Sequence, residues 1–127
     1  MKSVLIVEDE IFVAMDIERV LSDAGYKVIG IAADRAEALA AAQHAELAFV
    51  DLNLRDGPTG PNIALDLSQN YGLQIVYVTA NPSQIEIVAP TAVACIPKPF
   101  DENALLAAAA RAAGLPLPRT QQATIEA

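Results

Sequence analysis

The stretch SVLIVEDE, residues 3–10, decides how this chain is read. Val4, Leu5, Ile6 and Val7 form an unbroken apolar run that stops at the acids Glu8, Asp9 and Glu10. A strand with both faces covered reads as a continuous apolar run, without polar alternation. The same form returns as LAFV at 47–50 before Asp51, IVYV at 75–78 before Thr79, and VACI at 93–96 shortly before Lys98. In open α/β sheets ligands bind beyond the carboxyl ends of the strands, so these polar residues are expected to converge. Three carboxylates, a hydroxyl and an ammonium suit a divalent cation and a phosphoryl group, since acid oxygens hold Mg2+ while Lys and Thr meet phosphate oxygens.

The intervening sequence supplies the helices. Residues 11–24 carry Val13, Ile17, Val20, Leu21 and Ala24 at helical spacing, with Gly25 as a stop signal. A second strand at 28–32 leads to an Ala-rich helix capped by Asp34 and running to about His44. Asp51 is followed by a loop rich in turn residues, from Arg55 to Pro61, and then by a helix over about 62–71 that Gly72 ends. Asn81 and Pro82 start a fourth helix that Pro90 stops after about two turns. Asp101 caps a last helix over about 102–113, ended by Gly114. Five strands alternating with five helices predict an α/β fold: a doubly wound parallel sheet in the order 2-1-3-4-5, with the switch point between strands one and three. No glycine-rich dinucleotide fingerprint follows strand one, so an anionic cofactor is disfavoured there.

Composition agrees with one such domain. At 127 residues, 54% hydrophobic and 19% charged, the chain can build one core and is not of disordered composition. No apolar stretch approaches the roughly 20 residues that span a bilayer. Residues 1–114 are expected to form the domain, and 115–127 a partly ordered tail. With no signal peptide and the single Cys95, a cytoplasmic location is expected. The net charge of −8 and the scattered basic residues argue against direct nucleic-acid binding. The mean hydropathy of +0.34 is high enough to suggest an apolar face used by a partner.

The motif set resembles the receiver domain of two-component response regulators over nearly the whole chain to about residue 114. The acidic pair Glu8-Asp9, the lone Asp51, Thr79 followed by the small Ala80, and Lys98-Pro99-Phe100 stand in family order. The resemblance implies a flavodoxin-like receiver fold and a phosphoprotein of the two-component or phosphorelay type. Asp51 would take a phosphoryl group from a histidine kinase or phosphotransfer protein. Asp9 and Asp51 would hold Mg2+, with Glu8 through water and the main-chain carbonyl of Asn53 as a further ligand. Lys98 would contact a phosphoryl oxygen, Thr79 would donate its hydroxyl once phosphate is present, and Ala80 would leave room for access. The Lys98-Pro99 bond is expected to be cis. Such a protein is not an enzyme in the ordinary sense, though it would catalyse its own phosphorylation and dephosphorylation. With nothing foldable after residue 114, it reads as a single-domain regulator signalling by protein contact or within a phosphorelay.

Three departures from the receiver pattern concern transmission. The switch position three residues before Lys98, commonly Tyr or Phe, is Cys95. The segment from Thr79 to Lys98 is shorter than usual by about one helical turn, so the fourth helix is expected to be short or irregular. The loop after Asp51 carries Arg55 where proline is common and a Gly57-Pro58-Thr59-Gly60 insert. Such variants resemble receivers associated with HWE-family histidine kinases. They motivate transmission by local ordering around residues 80–95 in place of an aromatic rotamer switch.

Each feature has a plainer reading. Glu8-Asp9-Glu10 alone reads first as a solvated helix start, Asp51 as a loop residue, Thr79 as a β-former and His44 as a surface residue. Cys95 is expected to be a small buried hydrophobe. The last helix is either a good helix former or a docking face, the latter allowing a homodimer. Two other functional classes remain: a Mg2+-dependent phosphohydrolase with Asp51 as nucleophile, which wants a second Asp where Asn53 stands, and a pseudo-receiver acting without phosphorylation.

Overall fold

The computed structural model describes residues 2–114; the tail expected at 115–127 lies outside the described residues. Strands β1 (Ser3–Val7), β2 (Lys27–Ala32), β3 (Leu47–Val50), β4 (Gln74–Thr79) and β5 (Ala92–Pro97) alternate with helices α1 (Ile11–Asp23), α2 (Arg35–Ala42), α3 (Gly60–Tyr71) and α4 (Glu102–Ala113). All strand pairings are parallel and the order is β2-β1-β3-β4-β5, as the sequence pattern predicts. This is the doubly wound, flavodoxin-like receiver architecture.

The period of two along each strand divides the interior into two cores. Val4, Ile6, Phe49, Val76 and Val78 face α1 and α4, where Ala14, Ile17, Leu21, Leu105, Ala108 and Ala109 meet them. Leu5, Val7, Val50, Ile75 and Tyr77 face the other way, onto α2 and α3 through Ala38, Ala42, Ile63, Ala64 and Leu67. Both faces of β1 and β3 are covered, which is why their sequences do not alternate. Each large side chain fully buried here contributes roughly 1.5–3 kcal/mol. The alanines of α4 allow the helix to lie close against the sheet; Ala108, Ala109, Ala112 and Ala113 are part of the first core.

The fourth helix is short and irregular, as the sequence predicts, and lacks the two α-helical turns expected of it. Between β4 and β5 the chain makes only a 3-10 turn at Pro82–Gln84, so four α-helices are present among the described residues. Ile85, at φ −82° and ψ 98°, turns the chain into extended backbone. Two prolines bound this short segment, and its β-branched Ile85, Ile87 and Val88 are weak helix formers. Tertiary contacts hold it instead. Tyr77 Oη accepts from Ala89 N–H at 2.9 Å, Thr91 Oγ1 and Ser68 Oγ lie 2.7 Å apart, and Ile85 and Ala89 pack on the second core.

The missing helix also corrects the expectation for Cys95, which is exposed rather than buried. Cys95 pairs in register with Tyr77 on the edge strand β5, and therefore points to the sheet face where the 3-10 turn stands in place of a helix. A cavity of about 280 Å³ lined by Tyr77, Ile85, Val88 and Cys95 marks the gap.

Tyr77→Phe removes the acceptor of the Ala89 N–H while keeping the ring. It is expected to cost roughly 1–3 kcal/mol in urea unfolding, the penalty for an orphaned buried donor. Amide exchange should accelerate first within residues 85–91. An unchanged midpoint would show that the Tyr77 hydroxyl does not hold the segment.

Candidate functional site

The last rungs of the sheet place the polar residues that end the runs. Glu8 N–H donates to Ala32 O at 2.8 Å, Asp51 N–H to Val7 O at 2.9 Å, and Lys98 N–H to Thr79 O at 3.1 Å. Each site residue is therefore held by main-chain bonds to a neighbouring strand before its side chain makes any contact. Oxygens of Glu8, Asp9 and Asp51 come within 4.8 Å of one another. Lys98 joins them from β5, with Nζ 2.7 Å from Glu8 Oε1 and 3.2 Å from Asp51 Oδ2. The Lys98-Pro99 peptide is cis, as expected.

The cluster is dry on one side and open on the other. Glu8 is 2% exposed and Asp51 8%, while Asp9 is exposed at the rim. Glu8 is thus no solvated helix start: its Oε2 accepts from the Glu10 N–H at 3.1 Å, and its other oxygen meets Lys98. Asp51 Oδ1 accepts from the Leu52 N–H at 2.8 Å. Burial raises the Glu8 carboxyl from 4.5 to about 7, against the lowering effect of the Lys98 and Glu10 hydrogen bonds, and the nearby Asp51 charge adds to the rise. Burial works against the Lys98 ammonium, but the hydrogen bond and charge of Glu8, with those of Asp51, outweigh it and lift Lys98 above its ordinary value. One ammonium among three carboxylates leaves negative charge over, and a proton or a cation can offset it. Divalent-cation chemistry fits these donors, all oxygens of carboxylates, two of them fixed by hydrogen bonds.

The other nominated residues sit around this cluster. Thr79 is 1% exposed, and its Oγ1 accepts from the Asn81 N–H at 2.9 Å, which leaves the hydroxyl hydrogen free to donate. Ala80 is exposed beside it. Asn53 is exposed two residues beyond Asp51, and its side-chain amide is paired with that of Gln84. Cys95 lies apart from the cluster, on the face beneath the 3-10 turn.

Sequence reasoning passed over three contributors. Gly60, at the start of α3, packs on the main chain of Asp51: a carbon added there would lie 2.1 Å from Asp51 O and 2.4 Å from Leu52 Cα. Its N–H donates to Leu52 O at 3.1 Å. A glycine before Pro61 at a helix start was a visible signal for a close approach. Arg55, noticed only as a departure, pairs with Asp34 and lies 3.5 Å from Glu37, tying the loop after Asp51 to the start of α2. Gln84 carried no signal at all, because its partner is 31 residues away.

A parallel sheet with an acidic pair, a lone aspartate, a threonine and a lysine at its carboxyl ends defines a receiver of two-component signalling, and residues 4–110 match the family model described as response regulator receiver domain. The chain belongs to that family. It is 34% identical over 101 residues to the phyllosphere-induced regulator PhyR of Methylorubrum extorquens, covering 76% of this chain and 38% of that protein. The chain thus spans well under half the length of this curated relative. The solution structure of the PhyR response regulator receiver domain from Erythrobacter litoralis superposes with a TM-score of 0.78 at 26% identity, over 89% of this chain and 90% of that one. The crystal structure of the anti-anti-sigma factor PhyR from Bartonella quintana gives a TM-score of 0.66 at 33% identity, over 80% of this chain and 42% of that one. Among the described residues no helix is long and apolar enough to cross a membrane.

Two measurements follow from this geometry. Without divalent cations, Glu8 binds a proton in the native state that the unfolded state has lost between its ordinary 4.5 and about 7. Its contribution to stability is full below 4.5 and is lost as pH rises through about 7. Urea midpoints of the wild type should therefore carry a falling component from pH 5 to 7.5 that is absent in Glu8→Gln; parallel profiles would refute the raised carboxyl. Gly60→Ala is expected to lose about 1–3 kcal/mol through overpacking on Asp51. Gly30→Ala is the control, since nothing lies within 4 Å of its added carbon, and equal losses in the two would count against a special role for Gly60.

Proposed function

We propose that Asp51 is the phosphoryl acceptor of this receiver, taking the group from a phosphohistidine on a histidine kinase or phosphotransfer protein. The observation that carries the reading is the position of Lys98, within ion-pair distance of both Glu8 and Asp51. In the transfer a carboxylate oxygen of Asp51 forms a bond to phosphorus, the phosphorus–nitrogen bond of the donor breaks, and the released imidazole takes up a proton. Glu8, Asp9, Asp51 and the main-chain carbonyl of Asn53 would hold Mg2+, which supplies charge neutralisation between the acids and the incoming phosphoryl oxygens. Lys98 exchanges its contact with the Asp51 carboxylate for one with a phosphoryl oxygen. Thr79 donates its free hydroxyl hydrogen to another oxygen, and the small Ala80 leaves that side open.

The donor has to approach over the carboxyl ends of the strands, and part of the surface there, beside the acids, is apolar. Ile11, Phe12 and Met15 are 55%, 84% and 52% exposed on the first turns of α1. A groove of about 860 Å³ runs from Phe12 and Met15 to Lys98, Pro99 and Phe100, and Lys98 in turn pairs with Asp51. A partner presenting a phosphohistidine would seat on this patch. Output by contact with a second protein accords with the Bartonella relative, which is described as an anti-anti-sigma factor. A phosphohydrolase reading finds no support at Asn53, whose amide N–H is too weak an acid to protonate a leaving group and is engaged with Gln84.

Acetyl phosphate with Mg2+, followed by intact mass, tests the assignment. One added phosphoryl mass is expected on the wild type and none on Asp51→Asn. Equal labelling of the two proteins would remove Asp51 from the mechanism.

A further inference from the structure

The loop after β3 is tied to the start of α2 from both directions. Arg55 N–H donates to Ala33 O at 3.2 Å, and Arg35 N–H donates to Asp56 Oδ2 at 3.2 Å. The Arg55 guanidinium pairs with Asp34 and lies 3.5 Å from Glu37. Those two acids are themselves held at the helix start: Asp34 Oδ1 accepts from Glu37 N–H at 2.9 Å, and Glu37 Oε1 accepts from Ala33 N–H at 2.7 Å. The loop also closes on itself. Leu54 N–H donates to Gly57 O at 2.9 Å, Gly57 N–H returns to Leu54 O at 3.0 Å, and Thr59 Oγ1 donates to Asp56 Oδ1 at 2.6 Å. The carbonyls of Leu52 and Leu54 are thus engaged, while among the described residues no main-chain N–H donates to the carbonyl of Asn53 between them. The loop's own bonds fix its shape, and the Arg55 contacts fix that shape against α2.

We propose that Arg55 is a positioning residue for the divalent cation: its ion pairs with the start of α2 hold the loop in the place from which Asn53 offers its carbonyl. This role rests on the assignment of Glu8, Asp9, Asp51 and the Asn53 carbonyl as the cation's ligands. A loop already held loses little freedom when it takes up a ligand. A loop released from α2 binds with an affinity reduced by the fraction of time it spends in place. Arg55 is 60% exposed, and an isolated pair so exposed contributes little. Here two acids and the main-chain bond to Ala33 share the hold, and the partners are fixed by the helix they cap. The charge of Arg55 acts the other way, since a guanidinium four residues beyond Asp51 disfavours a second cation in the neighbourhood. Positioning and direct repulsion therefore give opposite signs when the guanidinium is removed.

The test is titration calorimetry with Mg2+ alone, without a phosphoryl donor, on the wild type, Arg55→Ala, Asp34→Asn and the double variant. Asparagine keeps an N-cap oxygen for α2 while removing the charge that Arg55 pairs with. Each single variant is expected to bind Mg2+ roughly threefold more weakly than the wild type, within the range that an exposed ion pair supplies. The double variant should bind no more weakly than the weaker single one, because the two changes remove one interaction. The gap between wild type and Arg55→Ala should also narrow in about 1 M NaCl, where exposed charges are screened beyond roughly 3 Å. A direct effect of charge would instead tighten binding in Arg55→Ala and weaken it in Asp34→Asn. That result, affinities equal to the wild type, additive losses in the double variant, or a gap that salt does not change overturns the positioning role and leaves the cation site standing. Absence of Mg2+ binding by the wild type overturns both.

Discussion

The site turns on one ammonium placed among more negative charge than it can neutralise. Lys98 reaches Glu8 and Asp51 from the end of β5, across β4, and Asp9 adds a third carboxylate at the rim. In a solvated loop such a cluster would be of little consequence, since water screens exposed pairs to a fraction of a kcal/mol. Here Glu8 and Asp51 are nearly dry, and burial, with a smaller push from the Asp51 charge, raises the Glu8 carboxyl from 4.5 to about 7. The cluster is held short of its best charge balance by the fold, and that unbalanced state suits it to a divalent cation.

What holds it there is main-chain geometry. The rungs that end β1, β3 and β5 fix Glu8, Asp51 and Lys98 against their neighbouring strands. The hydrophobic period of two fills both faces behind them, through α1 and α4 on one side and α2 and α3 on the other. Gly60 completes the support by letting α3 approach the Asp51 main chain more closely than any side chain would permit. A catalytic constellation built on strand ends is stiffer than one built on loops, because its members can move only by breaking ladder bonds.

This division of labour explains what could be read from the sequence. The strand runs, their order and their polar ends were legible because burial on both faces imposes a local pattern that needs no knowledge of distant residues. Asp34 and Asp101 were legible as caps for the same reason, and both accept from a backbone N–H three residues on. Glu8 was ambiguous, since an acid before a helix satisfies the helix dipole whether or not it is buried; only Lys98, 90 residues away, decides its role. Cys95 was misread because an apolar run usually means two covered faces, and the cover on its side depended on a helix that the chain does not make. Residues 82–90 had a helix-start signal at Asn81-Pro82, but tertiary anchors at Tyr77 and Ser68 took precedence over it. Gln84 was invisible, because an exposed amide gives no local sign of its partner.

The two misread elements meet in one place, and this bears on how a change at Asp51 would leave the site. An aromatic at position 95 would have had a covered face to turn into; Cys95 has a shallow cavity and open surface instead. The segment between β4 and β5 correspondingly has no α-helical hydrogen bonds, only those of its 3-10 turn, and is held by separate tethers: Asn81 to Thr79, Gln84 to Asn53, Ala89 to Tyr77, and Thr91 to Ser68. Two of these four end on residues of the site loops, and two end on the core. Breaking a tether at the site end therefore leaves the core-end tethers intact, and Ile87 and Val88 are exposed between the two pairs. A helix in the same position would distribute the strain along its own hydrogen bonds. Discrete tethers localise it, so a local opening of this segment needs only one or two hydrogen bonds to break.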